Sequence, residues 1–212
     1  MCIRDSSIIR CAEFFHKKVF IYSQGIGPID RPGNRRAAAA ALKRADGIVV
    51  RDERSASLLE EIGIARDKVV ITADPVIRMK KPDGDVGAEI LRKAGVSLDG
   101  RLTVGWAIRE RDTDSRFVKE LLRSIQMMKD KYNAQSVLIP FHYEEDGEVC
   151  RHIAAQLPND TAVCLNEKYL SEDMLSIIGN MDLLVGVRLH SLIYAAIMGV
   201  PLIGISYDPK CT

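Results

Sequence analysis

The stretch Leu183-Leu-Val-Gly-Val-Arg-Leu-His-Ser-Leu-Ile-Tyr-Ala-Ala-Ile-Met-Gly-Val-Pro-Leu-Ile-Gly-Ile205 is the part of this chain that decides its fold. Its apolar length could suggest a membrane span, but Arg188 and His190 interrupt it and Gly199-Val-Pro201 breaks it. We therefore predict a strand at 183–187, a helix at 189–198 and a strand at 202–205. Nearly all-apolar strands joined by a helix are typical of a parallel sheet that is covered on both faces.

The same alternation extends over the rest of the chain. Further strands are predicted at 19–22, 48–50, 69–72, 102–108, 136–141 and 162–165. Helices are predicted between them at 34–44, 53–62, 86–95, 114–132, 146–157 and 171–178. We expect an α/β fold of two Rossmann-like parallel-sheet domains. They comprise residues 1–78 and 87–212, and the polar, Pro- and Gly-containing residues 79–86 form a linker.

The composition excludes several classes of protein. Of the 212 residues 47% are apolar, which is enough to build a core and excludes disorder as the main state. Thirty Lys and Arg oppose 29 Asp and Glu, so no basic field directs the protein to nucleic acid. The five cysteines form no C-x-x-C pair, which indicates neither zinc nor a disulfide framework and favours the cytoplasm. No carboxylate cluster has metal-ligand spacing, and no signal peptide precedes the first strand.

The candidate site residues are those that follow strands, because ligands of parallel sheets bind beyond the carboxyl ends of the strands. Arg188 and His190 follow the strand at 183–187 and begin an apolar helix. A helix N-terminus favours anions, an arginine fork fits a carboxylate or phosphate, and a histidine can donate a proton. The alternative is structural: Arg188 pairs with a carboxylate of the fold and His190 only caps the helix.

Three further cations follow strands. Arg51 and Arg109 end the strands at 48–50 and 102–108, and Lys210 follows the strand at 202–205. A salt bridge of Arg51 to the start of its own helix is nearly as good an interpretation as anion binding. From spacing alone, an exposed turn position is the better explanation of Lys210.

Two strand-end loops complete the candidates. Gln24-Gly25-Ile-Gly-Pro28 is a glycine turn that lacks the third glycine of a dinucleotide fingerprint. His142 follows the strand at 136–141 and is a candidate for substrate contact, whereas Asp146 is predicted to be a helix N-cap.

These residues resemble the polysaccharide pyruvyl transferase family, from about residue 18 to the end. The resemblance lies in Gln24–Pro28, Arg51–Ser55, Ala73–Pro75, Arg109, Ile139–Phe141, Arg188–Ala196 and Pro201–Lys210. The ending is similar to the bacterial branch that modifies cell-wall polymers, which in some bacteria anchor surface-layer proteins. The resemblance implies a fold like that of the GT-B glycosyltransferases. It also implies transfer of an enolpyruvyl unit from phosphoenolpyruvate, as donor substrate and without a cofactor, to a sugar as a pyruvate ketal.

The resemblance also implies roles and partners. Arg188, His190 and either Arg51 or Arg109 hold the donor, with Lys210 in the family's Tyr-Asp-Pro-Lys motif. We hypothesise that His190 is the general acid and that Arg188 and Lys210 bind the anionic groups. The acceptor is a glycan or a lipid-linked sugar, which allows peripheral membrane association through the acceptor and involves no nucleic acid.

Two departures from the family pattern lead to further expectations. The glycine-rich first strand of the family is missing, and Met1–Ser6 resembles nothing in it. The chain is therefore expected to be a fragment that lacks part of its N-terminal domain and the end of its C-terminal one. The alternatives are a nucleotide-sugar glycosyltransferase or epimerase of the same fold, and an inactive fragment that acts only as an anion-binding module.

Overall fold

A computed structural model describes residues 3–109 and 115–205 of the chain. The chain divides into two compact units, Met1–Pro75 and Val76–Thr212. Each unit contains one parallel sheet with helices between its strands, which confirms the predicted α/β fold of Rossmann-like sheets.

The first unit contains a three-stranded sheet in the order β1-β2-β3. Its elements are α1 (Ile3–Phe14), β1 (Phe20–Gln24), α2 (Pro32–Leu42), β2 (Gly47–Val50), α3 (Glu53–Glu61) and β3 (Val69–Ile71). Leu42 of α2, Val50 of β2 and Leu59 of α3 belong to one buried apolar cluster. The helix α1 was not predicted from the sequence.

The second unit contains a five-stranded sheet. Its elements are α4 (Val86–Lys93), β4 (Thr103–Ala107), α5 (Ser115–Tyr132), β5 (Gln135–Leu138), α6 (Tyr143–Ala154), β6 (Ala162–Cys164), α7 (Ser171–Gly179), β7 (Leu183–Gly186), α8 (Leu189–Met198) and β8 (Leu202–Gly204). The strand order is β6-β5-β4-β7-β8, and every pair is parallel. Two short 3-10 helices complete the elements of the described residues: Arg66–Lys68 lies in the first unit, and Pro75–Arg78 spans the boundary between the units.

Two apolar clusters cover the larger sheet. One joins residues of α4, α7 and α8 to Val137 and Leu184. The other joins residues of α5 and α6 to Val104 and Leu138. All five residues of β4 are buried between these layers, as expected of the central strand of a doubly covered sheet. Within the described residues, no helix is long and apolar enough to cross a membrane.

Gly87 allows α4 to pack directly on the backbone of α7. A Cβ atom at this position would lie well inside van der Waals contact with the carbonyl group of Ser176. The N–H of Gly87 also donates to Ser176 Oγ at 2.8 Å. Close approach of two helix backbones therefore requires a glycine here.

Replacing Gly87 by Ala is expected to lower the free energy of unfolding by about 1–3 kcal/mol, because the added methyl group overpacks the α4–α7 contact. This destabilisation is opposite to the usual effect, because replacing Gly by Ala within a helix normally raises the free energy of unfolding. Gly33→Ala in α2 is the matched control, since a Cβ there meets no atom within 4 Å. Urea denaturation measures both variants. Equal or higher stability of Gly87→Ala would contradict the close α4–α7 contact.

Candidate functional site

The topology of the second unit places a crevice at one point of the sheet edge. The chain adds β5 and β6 on one side of β4 and then β7 and β8 on the other. Ligands of open parallel sheets bind beyond the carboxyl strand ends where the order reverses in this way. Here that point lies between β4 and β7, where Ala107 pairs with Gly186 and the Val187 N–H donates to the Ala107 carbonyl at 3.0 Å.

Four predicted site residues lie at this carboxyl edge. Arg109 follows β4 and Arg188 follows β7, and these two strands are neighbours. His142 follows β5, on the other side of β4, and His190 lies in the first turn of α8. The structure therefore places two arginines and two histidines of the prediction at one edge of one sheet.

Arg188 is held by carboxylates of α6. Its Nη2 and Nε donate to the two carboxylate oxygens of Asp146, at 2.5 and 3.2 Å. Nη2 also lies 3.2 Å from a carboxylate oxygen of Glu145. Burial of the guanidinium lowers the pKa of Arg188, but hydrogen bonds to Asp146 and Glu145 outweigh this effect and raise it above its ordinary value. Arg188 thus does pair with a structural carboxylate, the alternative left open from the sequence.

The prediction that Asp146 caps its helix is wrong. The helix α6 begins at Tyr143 with His142 as its N-cap, and Asp146 lies in its first turn. The Asp146 side chain is fully buried and accepts a hydrogen bond from the His142 N–H at 2.8 Å. A buried carboxylate requires a paired charge, and Arg188 supplies it.

His190 lies at the positive end of α8. Arg188 is the N-cap of this helix, and Ser191 Oγ donates to the Arg188 carbonyl at 2.6 Å. The imidazole of His190 is exposed, so a substrate can come within reach of its ring nitrogens. The N–H groups of this first turn add partial positive charge beside it.

An aromatic contact connects the β5–α6 loop with α8. The rings of Phe141 and Tyr194 meet edge to face with centroids 5.4 Å apart. Tyr194 is buried and lies one helical turn after His190, on the same face of α8. The contact therefore links the segment that carries His142 with the helix that carries His190.

The predicted residues of the first unit lie at the carboxyl edge of its own sheet. Gln24 and Gly25 lie at the carboxyl end of β1, and Arg51 follows β2. Arg51 Nη1 donates to Asp74 at 2.7 Å, and its Nε lies 3.5 Å from Asp52. A Cβ at Gly25 would lie 2.6 Å from Arg51 Nε, so the glycine leaves room for the guanidinium. Contact of Arg51 with a donor stays a prediction.

Arg51→Met is expected to lower the free energy of unfolding by about 1–3 kcal/mol, because the Asp74 carboxylate loses its cation in a largely buried position. The side chains of Arg51 and Asp74 are only 21% and 10% exposed. Arg35→Met is the control, since the Arg35–Glu61 pair is exposed and contributes little. Thermal and urea unfolding measure both. If Arg51→Met is as stable as the wild type, Arg51 does not stabilise the fold through Asp74.

Sequence reasoning missed the two acids that hold Arg188. Glu145 and Asp146 lie four and five residues after the predicted strand at 136–141, where Asp146 was interpreted only as a helix cap. The same strand-end rule applied to acids would have identified them as candidates, although not as the partners of Arg188. Lys210 lies outside the described residues. Among those residues no group of three His, Cys, Asp or Glu side chains has the arrangement of a metal site.

Comparison with known families gives one match across nearly the whole chain. The profile of the polysaccharide pyruvyl transferase family matches residues 2–209. This match extends further toward the N-terminus than the expected limit near residue 18, and it includes most of Met1–Ser6. A comparison with curated proteins finds no match.

Solved structures show the fold. The UDP-GlcNAc 2-epimerase from Methanocaldococcus jannaschii has a TM-score of 0.67 and 14% identity, over 95% of this chain and 59% of that one. Anabaena HepE in complex with UDP-glucose has a TM-score of 0.62 and 12% identity, over 92% and 55%. The Neisseria meningitidis UDP-GlcNAc 2-epimerase bound to UDP-GlcNAc has a TM-score of 0.63 and 15% identity, over 97% and 58%. The similarity confirms the GT-B-like fold, and the chain spans little more than half the length of these structures.

Proposed function

Because the chain belongs to the polysaccharide pyruvyl transferase family, we propose that it transfers the enolpyruvyl group of phosphoenolpyruvate to two hydroxyls of one sugar. The acceptor is a cell-wall polysaccharide or its lipid-linked precursor, and the product is a pyruvate ketal. The family match over residues 2–209 is the observation that carries this proposal.

The carboxyl edge of the larger sheet supports a donor with two anionic groups. Phosphoenolpyruvate carries a phosphate and a carboxylate. In a protein of net charge +1, binding these two groups requires several cationic or N–H groups gathered at one place. Arg109, Arg188 and the first turn of α8 lie at this edge. Arginine forks and helix N-termini are suited to these two groups. Lys210 is assigned to the same donor only through the family motif.

The proposed reaction needs one proton donor and one leaving group. Protonation of the methylene carbon of the donor makes the adjacent carbon an oxocarbenium-like centre. One sugar hydroxyl adds to that carbon, phosphate leaves with its bridging oxygen, and the second hydroxyl closes the ketal. The new methyl group keeps the proton taken from the acid; of the two hydroxyl protons, one goes to the released phosphate and the other returns to the acid.

His190 is proposed as the acid that protonates the methylene carbon. It lies in the first turn of α8, two residues after the arginine that would hold an anionic group of the donor. A positioned acid of this kind contributes about 10²–10⁴-fold to a rate. Arg188 and the helix N-terminus then stabilise charge on the donor while the proton moves.

A transfer assay tests the proposal. The protein is incubated with phosphoenolpyruvate and a panel of hexosamine-containing acceptors, and acceptor-dependent phosphate release is measured. NMR of the product detects the methyl group of a pyruvate ketal. Phosphate release without a ketal, or no reaction with any acceptor while the protein is folded, would contradict the assignment.

A nucleotide-sugar reaction is the second candidate, because the similar solved structures include UDP-sugar complexes. The comparison of ligands is direct: isothermal titration with phosphoenolpyruvate and with UDP-sugars. Binding of the UDP-sugar alone would favour a glycosyltransferase or epimerase. Binding of phosphoenolpyruvate without turnover would leave an anion-binding module.

A further inference from the structure

Two neighbouring carboxylates contact the same guanidinium but differ in their surroundings. Asp146 is fully buried and engages Arg188 through both Nε and Nη2. Glu145 is 50% exposed and contacts only Nη2, at 3.2 Å. Both acids contact Arg188, a residue of the proposed donor site. Neither has a role in the reaction described above.

Asp146 connects two strand-end loops across the strand between them. It accepts the His142 N–H from the loop after β5, and it pairs with Arg188 after β7. β4 lies between β5 and β7 in the sheet, and Arg109 follows β4. One buried carboxylate therefore fixes the positions of both loops that flank the end of β4.

The direction of the Arg188 fork follows from this contact. Asp146 occupies the edge formed by Nε and Nη2, so Nη1 is engaged by neither Asp146 nor Glu145. A bidentate ion pair fixes the plane of a guanidinium as well as its place. The remaining nitrogen and the Nη2 proton that faces Glu145 are the donors that an incoming anion can use.

Glu145 competes with such an anion. Its carboxylate lies 3.2 Å from Arg188 Nη2 and 3.7 Å from His142 Nδ1. The Glu145 side chain is half-exposed, so water solvates it readily when the contact is broken. Asp146 cannot leave in the same way, because a fully buried carboxylate without a partner is costly.

We infer that Asp146 is the positioning residue of Arg188 and that Glu145 is the counter-ion which an anionic group of the donor displaces. This inference rests on the proposed function, in which Arg188 binds phosphoenolpyruvate. It assigns opposite effects on donor affinity to two adjacent acids of one helix, which a purely structural role of both would not produce.

Asp146→Asn tests the positioning role. The amide oxygen keeps a hydrogen bond from the His142 N–H, but the charge that orients Arg188 is lost. We expect the Kd and KM for phosphoenolpyruvate to rise about 10- to 100-fold with the acceptor KM unchanged. A folded Asp146→Asn protein with wild-type donor affinity, or with equal losses for donor and acceptor, would overturn the assignment.

Glu145→Gln tests the displacement. Because the competing charge is removed, the Kd for phosphoenolpyruvate should fall about two- to fivefold, and binding should depend more steeply on salt, since the donor then forms a net new ion pair. Glu144→Gln is the matched control, since Glu144 is the adjacent acid and pairs with Lys168 instead. Unchanged or weaker donor binding by Glu145→Gln would refute the displacement.

Comparison of a double variant with Arg188→Met keeps the test decisive if Asp146→Asn alone does not fold. Removing Arg188 and Asp146 together, as Arg188→Met with Asp146→Asn, eliminates both buried charges. If Asp146 acts only through Arg188, this protein binds the donor as weakly as Arg188→Met alone, whereas a further loss would contradict the inference. Failure of the wild type to bind phosphoenolpyruvate would instead reject the proposed function, and the inference with it.

Discussion

His190→Ala is expected to lower kcat for pyruvyl transfer by about 10²–10⁴-fold, because the reaction loses the acid that protonates the methylene carbon of the donor. Donor binding should weaken much less, since Arg188 and the α8 N-terminus remain. The fold should be retained: His190 is exposed, and exposed substitutions usually change stability by less than about 0.5 kcal/mol. Single-turnover kinetics with titration of phosphoenolpyruvate separates the two effects.

His152→Ala is the matched control for this result. His152 is also exposed but lies in the last turn of α6, at the end of that helix away from His142. Its replacement should leave kcat unchanged. Near-normal transfer by His190→Ala would remove His190 from the acid role, whatever the behaviour of the control.

Arg188→Lys is expected to lower kcat/KM by about 100- to 1,000-fold, although the positive charge is retained. Arg188 engages Asp146 through two nitrogens and has further N–H groups for the donor. A lysine ammonium is a point charge on a flexible stem, so it cannot hold Asp146 bidentately and present a fixed fork to an anion. The lower kcat/KM should come mainly from a higher KM for the donor. The salt dependence of that KM should also change.

Arg35→Lys provides the comparison, because Arg35 forms one exposed contact, to Glu61, at 2.6 Å. A lysine can replace such a contact at little cost. Steady-state kinetics for both variants at several salt concentrations gives the measurement. If Arg188→Lys behaves like Arg35→Lys, the planar fork has no part in donor binding.

Most of the fold could be predicted because strand and helix periodicity is local. The helix at 189–198 was placed at its observed bounds, since an apolar strand, Arg188 and Gly199 delimit it in sequence. The helix α1 was missed because Ile3–Phe14 mixes polar and apolar residues without an apolar stripe. The start of α6 was placed at Asp146, an acid of the usual N-cap type, whereas His142 occupies that position.

The candidate site could be predicted only in part. The strand-end rule identified Arg109, Arg188, His142 and His190, because each directly follows a strand or begins a helix. The partner of Arg188 could not be found in this way, since Asp146 lies 42 residues earlier in the chain. Ion pairs of that separation depend on strand order, and local patterns do not contain strand order. The same holds for Arg51 and Asp74, which come together only because β2 and β3 are neighbours.

Titration of the wild-type chain and of Arg188→Lys with phosphoenolpyruvate and with UDP-GlcNAc distinguishes a pyruvyl-donor site from a nucleotide-sugar site. We predict saturable binding of phosphoenolpyruvate to the wild type, strong weakening of that binding in Arg188→Lys, and no comparable response to UDP-GlcNAc. Tight binding of UDP-GlcNAc, together with phosphoenolpyruvate binding that is absent or indifferent to Arg188→Lys, would contradict a pyruvyl-donor site at the carboxyl edge of the larger sheet.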